Sequence, residues 1–221
     1  MSLELGIWRI DGDTKRVVPA RMDREDRLET ILHGDVSILG LEVLVIGRQV
    51  ITNFGKRIDL LAIDANGDLV IIELKRDRTP REVVAQLLDY ASWVKGLDRV
   101  AIEAIWAQRS PIAFELAFRE RFGTSPADIN DSHRLVVVAS ELDASTERIV
   151  TYLSEGGIPI NAVFFRCFQD DGREYLTRSW FVDPNEAEAR AEKGAVGQME
   201  TWNGQDFYAS IGDGEHRTWQ D

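Results

Sequence analysis

Apolar residues concentrate in two short runs at 58–63 and 69–74, separated by the polar stretch Asp64-Ala65-Asn66-Gly67-Asp68. Short apolar runs bounded by turn residues read as buried strands, so residues 56–75 form a hairpin. Residues 41–50, Leu-Glu-Val-Leu-Val-Ile-Gly-Arg-Gln-Val, supply another β-rich strand with Gly47 marking a bulge. Residues 51–55 connect it to the hairpin. Near the start, residues 4–10 and 16–19 read as short strands around Asp11-Gly12-Asp13, an N-terminal β-hairpin within residues 1–20. Three later stretches, 134–140, 158–168 and 174–182, carry the same strand pattern, the last two joined by a turn at 169–173.

The period switches to helical elsewhere. Residues 23–33 place Leu28, Ile31 and Leu32 on one stripe and stop at Gly34. After a polar loop at 76–79, Thr79 suits an N-cap and Pro80 a first helical position. The helix that follows runs to about residue 95, before Gly96, and buries Val83, Val84, Leu87, Ala91 and Val94. Residues 98–108 form a helix with Ile102, Ile105 and Trp106 apolar. The next starts at Ser110-Pro111, ends at Gly123, and repeats Phe114, Phe118 and Phe122 at helical spacing, which reads as core packing. A helix at 143–155, closed by Gly156-Gly157, lies between two strands. This strand–helix–strand unit predicts a right-handed crossover that extends the sheet. The class is α/β, a mixed sheet with helices on both sides.

Residues 184–199 are rich in Glu and Ala and read as a linker or an exposed helix. Trp202, Phe207, Tyr208 and Ile211 then mark a new β segment. It opens a further unit, packs back on the domain, or packs on a second copy. The expected organisation is a hairpin (1–20), a main domain (21–183), a linker (184–200) and a C-terminal β segment (201–221).

Composition narrows the class. The chain has 221 residues, 44% hydrophobic and 29% charged, enough for one sizeable globular domain or one domain plus an appendage. No apolar run is long enough to span a bilayer. The start, Met-Ser-Leu-Glu-Leu, lacks the basic and apolar regions of a signal peptide. Cys167 is the single cysteine, so no internal disulfide forms, and a cytoplasmic location is expected. His33, His133 and His216 show no ligand spacing, and no P-loop, nucleophile elbow or dinucleotide fingerprint occurs. The net charge of −12 argues against a generic nucleic-acid coat. Acid is unevenly placed, however, with a net −6 between residues 183 and 221. Arg48, Lys56, Arg57, Lys75, Arg76, Arg78 and Arg81 surround the central hairpin as a basic rim.

Three charges sit on the otherwise apolar hairpin: Asp59, Glu73 and Lys75. An unpaired buried charge costs several kcal/mol, so a core that keeps them uses them or pairs them. Glu73 and Lys75 share one strand face. A two-residue Asn66-Gly67 loop would turn Asp59 away from Glu73, whereas a three-residue Ala65-Asn66-Gly67 loop places them opposite. Asp64 suits the position before a type I turn and Gly67 the left-handed position after it, which favours the three-residue loop. Facing carboxylates repel unless a cation lies between them. Acidic oxygens suit Mg²⁺ or Mn²⁺, hard ions that keep several waters and take phosphate oxygens. Lys75 beside such an ion would orient a water or stabilise developing charge. The competing account of these charges is a buried ion-pair network with a purely structural role.

Asp59, a hairpin, then Glu73-Leu74-Lys75 resembles the PD-(D/E)xK nuclease signature, with Ile58 in place of the proline. Gln86 and Tyr90 match the QxxxY element of its RecB-type members. From Leu28-Glu29 through Tyr90 the chain is similar to the nuclease domain of NucS-type endonucleases. The specific resemblance covers roughly residues 20–100, and a weaker one reaches about Pro184. It implies a restriction-endonuclease-like mixed β-sheet flanked by helices, with the later strand–helix–strand unit as an extension. The implied activity is Mg²⁺-dependent hydrolysis of DNA phosphodiester bonds, Mn²⁺ being an alternative ion, directed by DNA structure or by a protein partner.

In that family a glutamate on the first helix helps hold the metal or its water shell. Glu29 matches better than Glu25, and reads equally as a surface helix charge. The implied ligands are Asp59, Glu73, the Leu74 carbonyl and Glu29. By the same resemblance Gln86 positions Lys75 or substrate, and Tyr90 orients Gln86 or contacts the backbone, unless its ring simply packs in the core. Lys56, Arg57, Arg76 and Arg78 would contact DNA. A homodimer or an additional C-terminal domain is compatible with this reading. The competing function is a non-catalytic nucleic-acid-binding or interaction module that retains a nuclease fold.

Overall fold

The computed structural model describes residues 5–21, 25–75, 78–126, 128–187 and 189–190. Its centre is a run of three antiparallel strands, β4 (Val43–Ile51), β5 (Arg57–Asp64) and β6 (Leu69–Leu74), built from the apolar segments noted above. In chain order they follow β1 (Trp8–Arg9), β2 (Lys15–Arg16), β3 (Val18–Ala20) and helix α1 (Glu25–Gly34). After β6 come β7 (Arg78–Thr79), α2 (Glu82–Val94), α3 (Arg99–Ala107) and α4 (Phe114–Phe122). Then follow β8 (His133–Ala139), β9 (Glu141–Leu142), α5 (Ala144–Glu155), β10 (Ile160–Asp170) and β11 (Arg173–Trp180).

The principal sheet has the order β11-β10-β8-β6-β5-β4, with β3 also paired to β10. The β6–β8 and β8–β10 pairs are parallel and the rest are antiparallel, giving the expected mixed sheet. Parallel strands are buried on both faces and read as continuous apolar runs. Leu135-Val136-Val137-Val138-Ala139 in β8 is such a run, buried throughout. The expected strand–helix–strand unit is β8–α5–β10, whose two strands are parallel neighbours.

Side chains alternate between two layers. Leu61, Ile63, Leu69 and Ile71 pack with residues of α2, α3, α4 and α5, whereas Leu60, Ala62, Val70 and Ile72 pack with Leu28 and Leu32 of α1. Helices therefore cover both faces. Val83, Val84, Leu87, Ala91 and Val94 of α2 are all buried, as their spacing predicts. Phe114, Phe118 and Phe122 stack along α4 with centroids 5.8 and 4.7 Å apart, a core role. Asp98 and Asp143 cap α3 and α5 by accepting from Ala101 N (2.8 Å) and Thr146 N (2.7 Å). Among the described residues no helix is long and apolar enough to cross a membrane.

Two local expectations are corrected. Thr79 is not an N-cap: it is fully buried in β7, which pairs parallel with β9, and α2 starts at Glu82 after Arg81. Its carbonyl accepts from Asp143 N and Thr146 Oγ1, so long-range pairing outweighs its local capping preference. The N-terminal strands are not a hairpin alone, because β3 joins β10 by pairing Cys167 with Ala20 and Gln169 with Val18. The β1–β2 hairpin is also tied to the β10–β11 turn, where Arg9 and Lys15 each contact both Asp170 and Asp171. Residues 184–187 and 189–190 are helical. The remainder of the proposed linker and the C-terminal β segment lie outside the described residues.

Candidate active site

The central turn closes with three loop residues. Gly67 N donates to Asp64 O (3.1 Å), Asp64 N to Asp68 O (3.0 Å), and Gly67 takes φ +91°. Asp68 N also donates to Asp64 Oδ1 (3.0 Å). The resulting register pairs Ile63 with Leu69 and Leu60 with Ile72. One step further along the same register, Asp59 faces Glu73, as the turn residues predict.

At that step the two strands stop pairing through their backbones. Asp59 Oδ2 accepts from Leu74 N (2.8 Å), taking the place of a ladder bond. The Arg57 carbonyl instead accepts from the Tyr90 hydroxyl (2.6 Å). Ile58 and Leu61 both pack toward the α2–α5 layer, so strict alternation fails around Asp59. Side chains thus satisfy the backbone groups left by the divergence, and the acids occupy the gap.

Glu73 is buried, with 1% of its surface exposed. Its Oε1 accepts from Lys75 Nζ (2.6 Å) and from Gln86 Nε2 (2.6 Å). Gln86 Nε2 also reaches the Tyr90 hydroxyl (2.6 Å). The helical spacing of Gln86 and Tyr90 therefore produces one relay: α2 holds Tyr90, Tyr90 fixes Gln86, and Gln86 fixes Glu73. The Tyr90 ring is buried in the core while its hydroxyl meets Gln86 and the Arg57 carbonyl.

Among the described residues no donor reaches the buried Glu73 Oε2, and the further polar group that meets this carboxyl is the Asp59 acid. Burial first, and the neighbouring Asp59 charge second, push the Glu73 carboxyl up to about 7, against the opposing pull of Lys75. Burial raises the Asp59 carboxyl too, although the Leu74 amide and the Gln49 side chain partly offset it. Burial also raises the Tyr90 hydroxyl.

Gln49 was not anticipated from sequence. It lies in β4 between Arg48, which pairs with Leu60, and Val50, which pairs with Ile58, and therefore faces Asp59. Its Nε2 donates to both Asp59 Oδ1 (2.9 Å) and Glu29 Oε1 (2.9 Å). Gln49 has φ +53°, left-handed backbone that a non-glycine residue adopts at a cost. The expected bulge lies just upstream, where the register shifts between Val45 and Gly47. A glutamine in an apolar strand carries no sequence signal for such a backbone.

Glu29 is buried on α1 and is not a surface helix charge. Its Oε1 also accepts from Arg48 Nε (2.8 Å). Arg48 is thus pinned to α1, where it also reaches Thr30 Oγ1 (3.3 Å), and does not stand free on the basic rim. Lys56 and Arg57 are exposed where the chain enters β5. Arg76 and the side chains of Glu25 and Arg78 lie outside the described residues.

Among the described residues no three His, Cys, Asp or Glu side chains converge closely enough to form a metal cluster. Two acids converge directly, Asp59 and Glu73, and Glu29 reaches them through the Gln49 amide. The chemistry of this set fits a hard divalent ion. It offers carboxylate oxygens, one of them buried with no donor among the described residues, on groups whose ionisation burial opposes. Mg²⁺ commonly uses only one or two protein carboxylates and retains waters for its other positions.

No protein-family model matches the chain, and no characterised protein sequence matches it. Three solved structures are similar to it. One is EndoMS in complex with double-stranded DNA, at 20% identity and TM-score 0.40, over 65% of this chain and 45% of that one. Another is a repair endonuclease from Pyrococcus abyssi, at 13% identity and TM-score 0.38, over 70% and 63%. The third is EndoMS in its apo form, at 20% identity and TM-score 0.37, over 66% and 48%. The chain spans less than two thirds of the length of each.

Proposed function

We propose that this chain is a divalent-metal-dependent endonuclease that hydrolyses DNA phosphodiester bonds. The observation that carries the proposal is Glu73 Oε2, a buried carboxylate oxygen that no donor among the described residues reaches, facing a second acid whose ionisation burial opposes. A purely structural ion pair would satisfy that oxygen, since a buried unmatched polar atom costs about 1–3 kcal/mol.

Asp59, Glu73 and the Leu74 carbonyl would hold Mg²⁺ or Mn²⁺, with Glu29 acting through Gln49. The ion supplies charge that polarises a phosphate oxygen and lowers the pKa of a bound water. Lys75 Nζ, 2.6 Å from Glu73 Oε1, would orient the attacking water or stabilise charge on the phosphate. Gln86 and Tyr90 keep Glu73 in position. Lys56 and Arg57, with Arg76 and Arg78, anchor the DNA backbone, and such contacts set position without reading sequence. Recognition therefore follows DNA structure or a protein partner.

The test is cleavage of labelled single-stranded, duplex, mismatched and flapped DNAs in Mg²⁺, Mn²⁺ or EDTA, with Glu73→Ala and Lys75→Ala alongside. Metal-dependent cutting lost in both variants supports the proposal. Absence of cutting on every DNA, together with no calorimetric metal binding that depends on Glu73, refutes it. Metal and DNA binding without cutting by the wild type would indicate a binding module instead.

A further inference from the structure

Residues 52–56 and 64–68 close the hairpins at either end of β5 in the same way. In the first, Thr52 N donates to Lys56 O (2.8 Å), Gly55 N to Thr52 O (3.0 Å) and Lys56 N to Thr52 Oγ1 (3.3 Å). The second repeats these bonds with Asp64, Gly67 and Asp68, and both glycines have positive φ, +73° and +91°. The third position of the pattern is Asn66 in one loop and Phe54 in the other. Asn is an ordinary turn residue. Phe meets no need of the turn.

Nor does the core need it. Phe54 is 61% exposed, and Ile51, at the end of β4, is 65% exposed. Thr52 beneath them is buried, so an ordered turn holds an aromatic ring in water. Lys56 and Arg57 are exposed on the same loop end, and the Arg57 carbonyl is bonded to Tyr90 of the candidate centre. An exposed aromatic ring followed by two exposed cations, one strand end away from paired acids, matches nucleic acid: bases stack on rings while cations meet phosphates. The bond from Tyr90 of the candidate centre to the Arg57 carbonyl ties this loop end to that centre, which favours a ligand of the centre over an anionic membrane surface.

We propose that Phe54 is a base-stacking residue that packs against a nucleobase of the DNA bound at the Asp59–Glu73 centre, with Lys56 and Arg57 on the flanking phosphates. The inference rests on the nuclease reading. Phe54 is five residues from Asp59, so the strand rise limits its reach to about 17 Å, or about five nucleotides from the scissile phosphate.

The experiment uses the whole chain. Wild-type cleavage first maps the cut. DNA carrying 2-aminopurine in turn at each position within about five nucleotides of that cut is then bound in Mg²⁺ by the Lys75→Ala protein. Stacking changes the fluorescence at one or two positions. Adding Phe54→Ala abolishes that change and weakens binding roughly 5- to 100-fold, the range for loss of one base–aromatic contact. Phe54→Trp restores both. The melting temperature is unchanged in each, because the ring is exposed. Cutting by the wild type with fluorescence and affinity unaffected by Phe54→Ala overturns the stacking role and leaves the nuclease reading standing. Absence of DNA binding and cutting by the wild type overturns both. Phe54-dependent binding to phosphatidylserine vesicles with Phe54-independent DNA binding overturns the stacking role in favour of a membrane contact.

Discussion

Gln49 faces Asp59 across the β4–β5 pair, and its amide Nε2 lies 2.9 Å from Asp59 Oδ1 while donating equally to Glu29. A neutral group with two donors holds two acids in register, and does so from a backbone at φ +53° that costs about 1–2 kcal/mol for an L-residue. If φ alone mattered, glycine would serve better. Gln49→Gly is expected to melt within a few degrees of wild type, the relieved strain offsetting the lost hydrogen bonds, while Mn²⁺ affinity falls about 10- to 100-fold, the usual effect of removing a partner that orients a ligand. Titration calorimetry with Mn²⁺ checks this. Unchanged affinity in the glycine variant would leave Gln49 with no role beyond its fold position.

Glu73 makes the metal-free protein sensitive to pH. Its folded-state pKa, about 7, lies above the ordinary 4.5. The folded state therefore keeps this proton where the unfolded state has lost it. The stabilisation is complete below pH 4.5 and disappears as pH rises through 7, amounting to about 3 kcal/mol across that window. Thermal melts in EDTA should show Glu73→Gln flattening this part of the pH profile and gaining stability relative to wild type above pH 7. Added Mg²⁺ should stabilise the wild type above pH 7 and leave the variant nearly unaffected, since a ligand stabilises only the state that binds it. A wild-type profile no steeper than that of Glu73→Gln would contradict the burial argument.

These two residues differ in how readable they are from sequence. Asp59 and Glu73 stand out because charge interrupts apolar strands, and their register follows from Asp64 and Gly67, residues whose turn preferences are local. Gln86 and Tyr90 follow from helical spacing. Gln49 does not, because its left-handed backbone belongs to the β4–β5 irregularity and no glycine or asparagine marks it. Thr79 misleads for a related reason: its local capping preference yields to pairing with Leu142, 63 residues further on. Arg48 reads from sequence as a rim cation because the contact that holds it, Glu29 on α1, is 19 residues away.

Tyr90 separates packing from positioning. Tyr90→Phe keeps the buried ring and removes only the hydroxyl that donates to Arg57 O and holds Gln86. The expected loss of stability is about 1–3 kcal/mol, that of two part-buried hydrogen bonds. DNA cleavage should fall on the order of tenfold through kcat, as for other outer-shell partners. Tyr90→Ala also removes the ring and should cost about 3–5 kcal/mol. Denaturant melts beside steady-state cleavage make the comparison. Full activity in Tyr90→Phe would mean that Gln86 needs no tether.

The β1–β2 hairpin is held by charge. Arg9 and Lys15 grip Asp170 and Asp171 at the β10–β11 turn, whereas β3 is held by its backbone pairing with β10. Hydrogen bonds first, from Arg9 and then Lys15, hold the Asp171 carboxyl down at about 2. A lowered carboxyl pKa contributes stability above its unfolded value, near 3.8, and that contribution is lost as pH falls through 2. Acid should therefore release the hairpin before it disturbs the sheet. Amide exchange near pH 5 and near pH 2 should show protection lost at Arg9 and Val17 while the β3–β10 amides stay protected. High salt at pH 5 should loosen the same amides, because exposed ion pairs are screened. Simultaneous loss of protection in β1, β2 and β3 would show that the hairpin and β3 form one cooperative unit, with the charged clamp acting on the sheet edge as a whole.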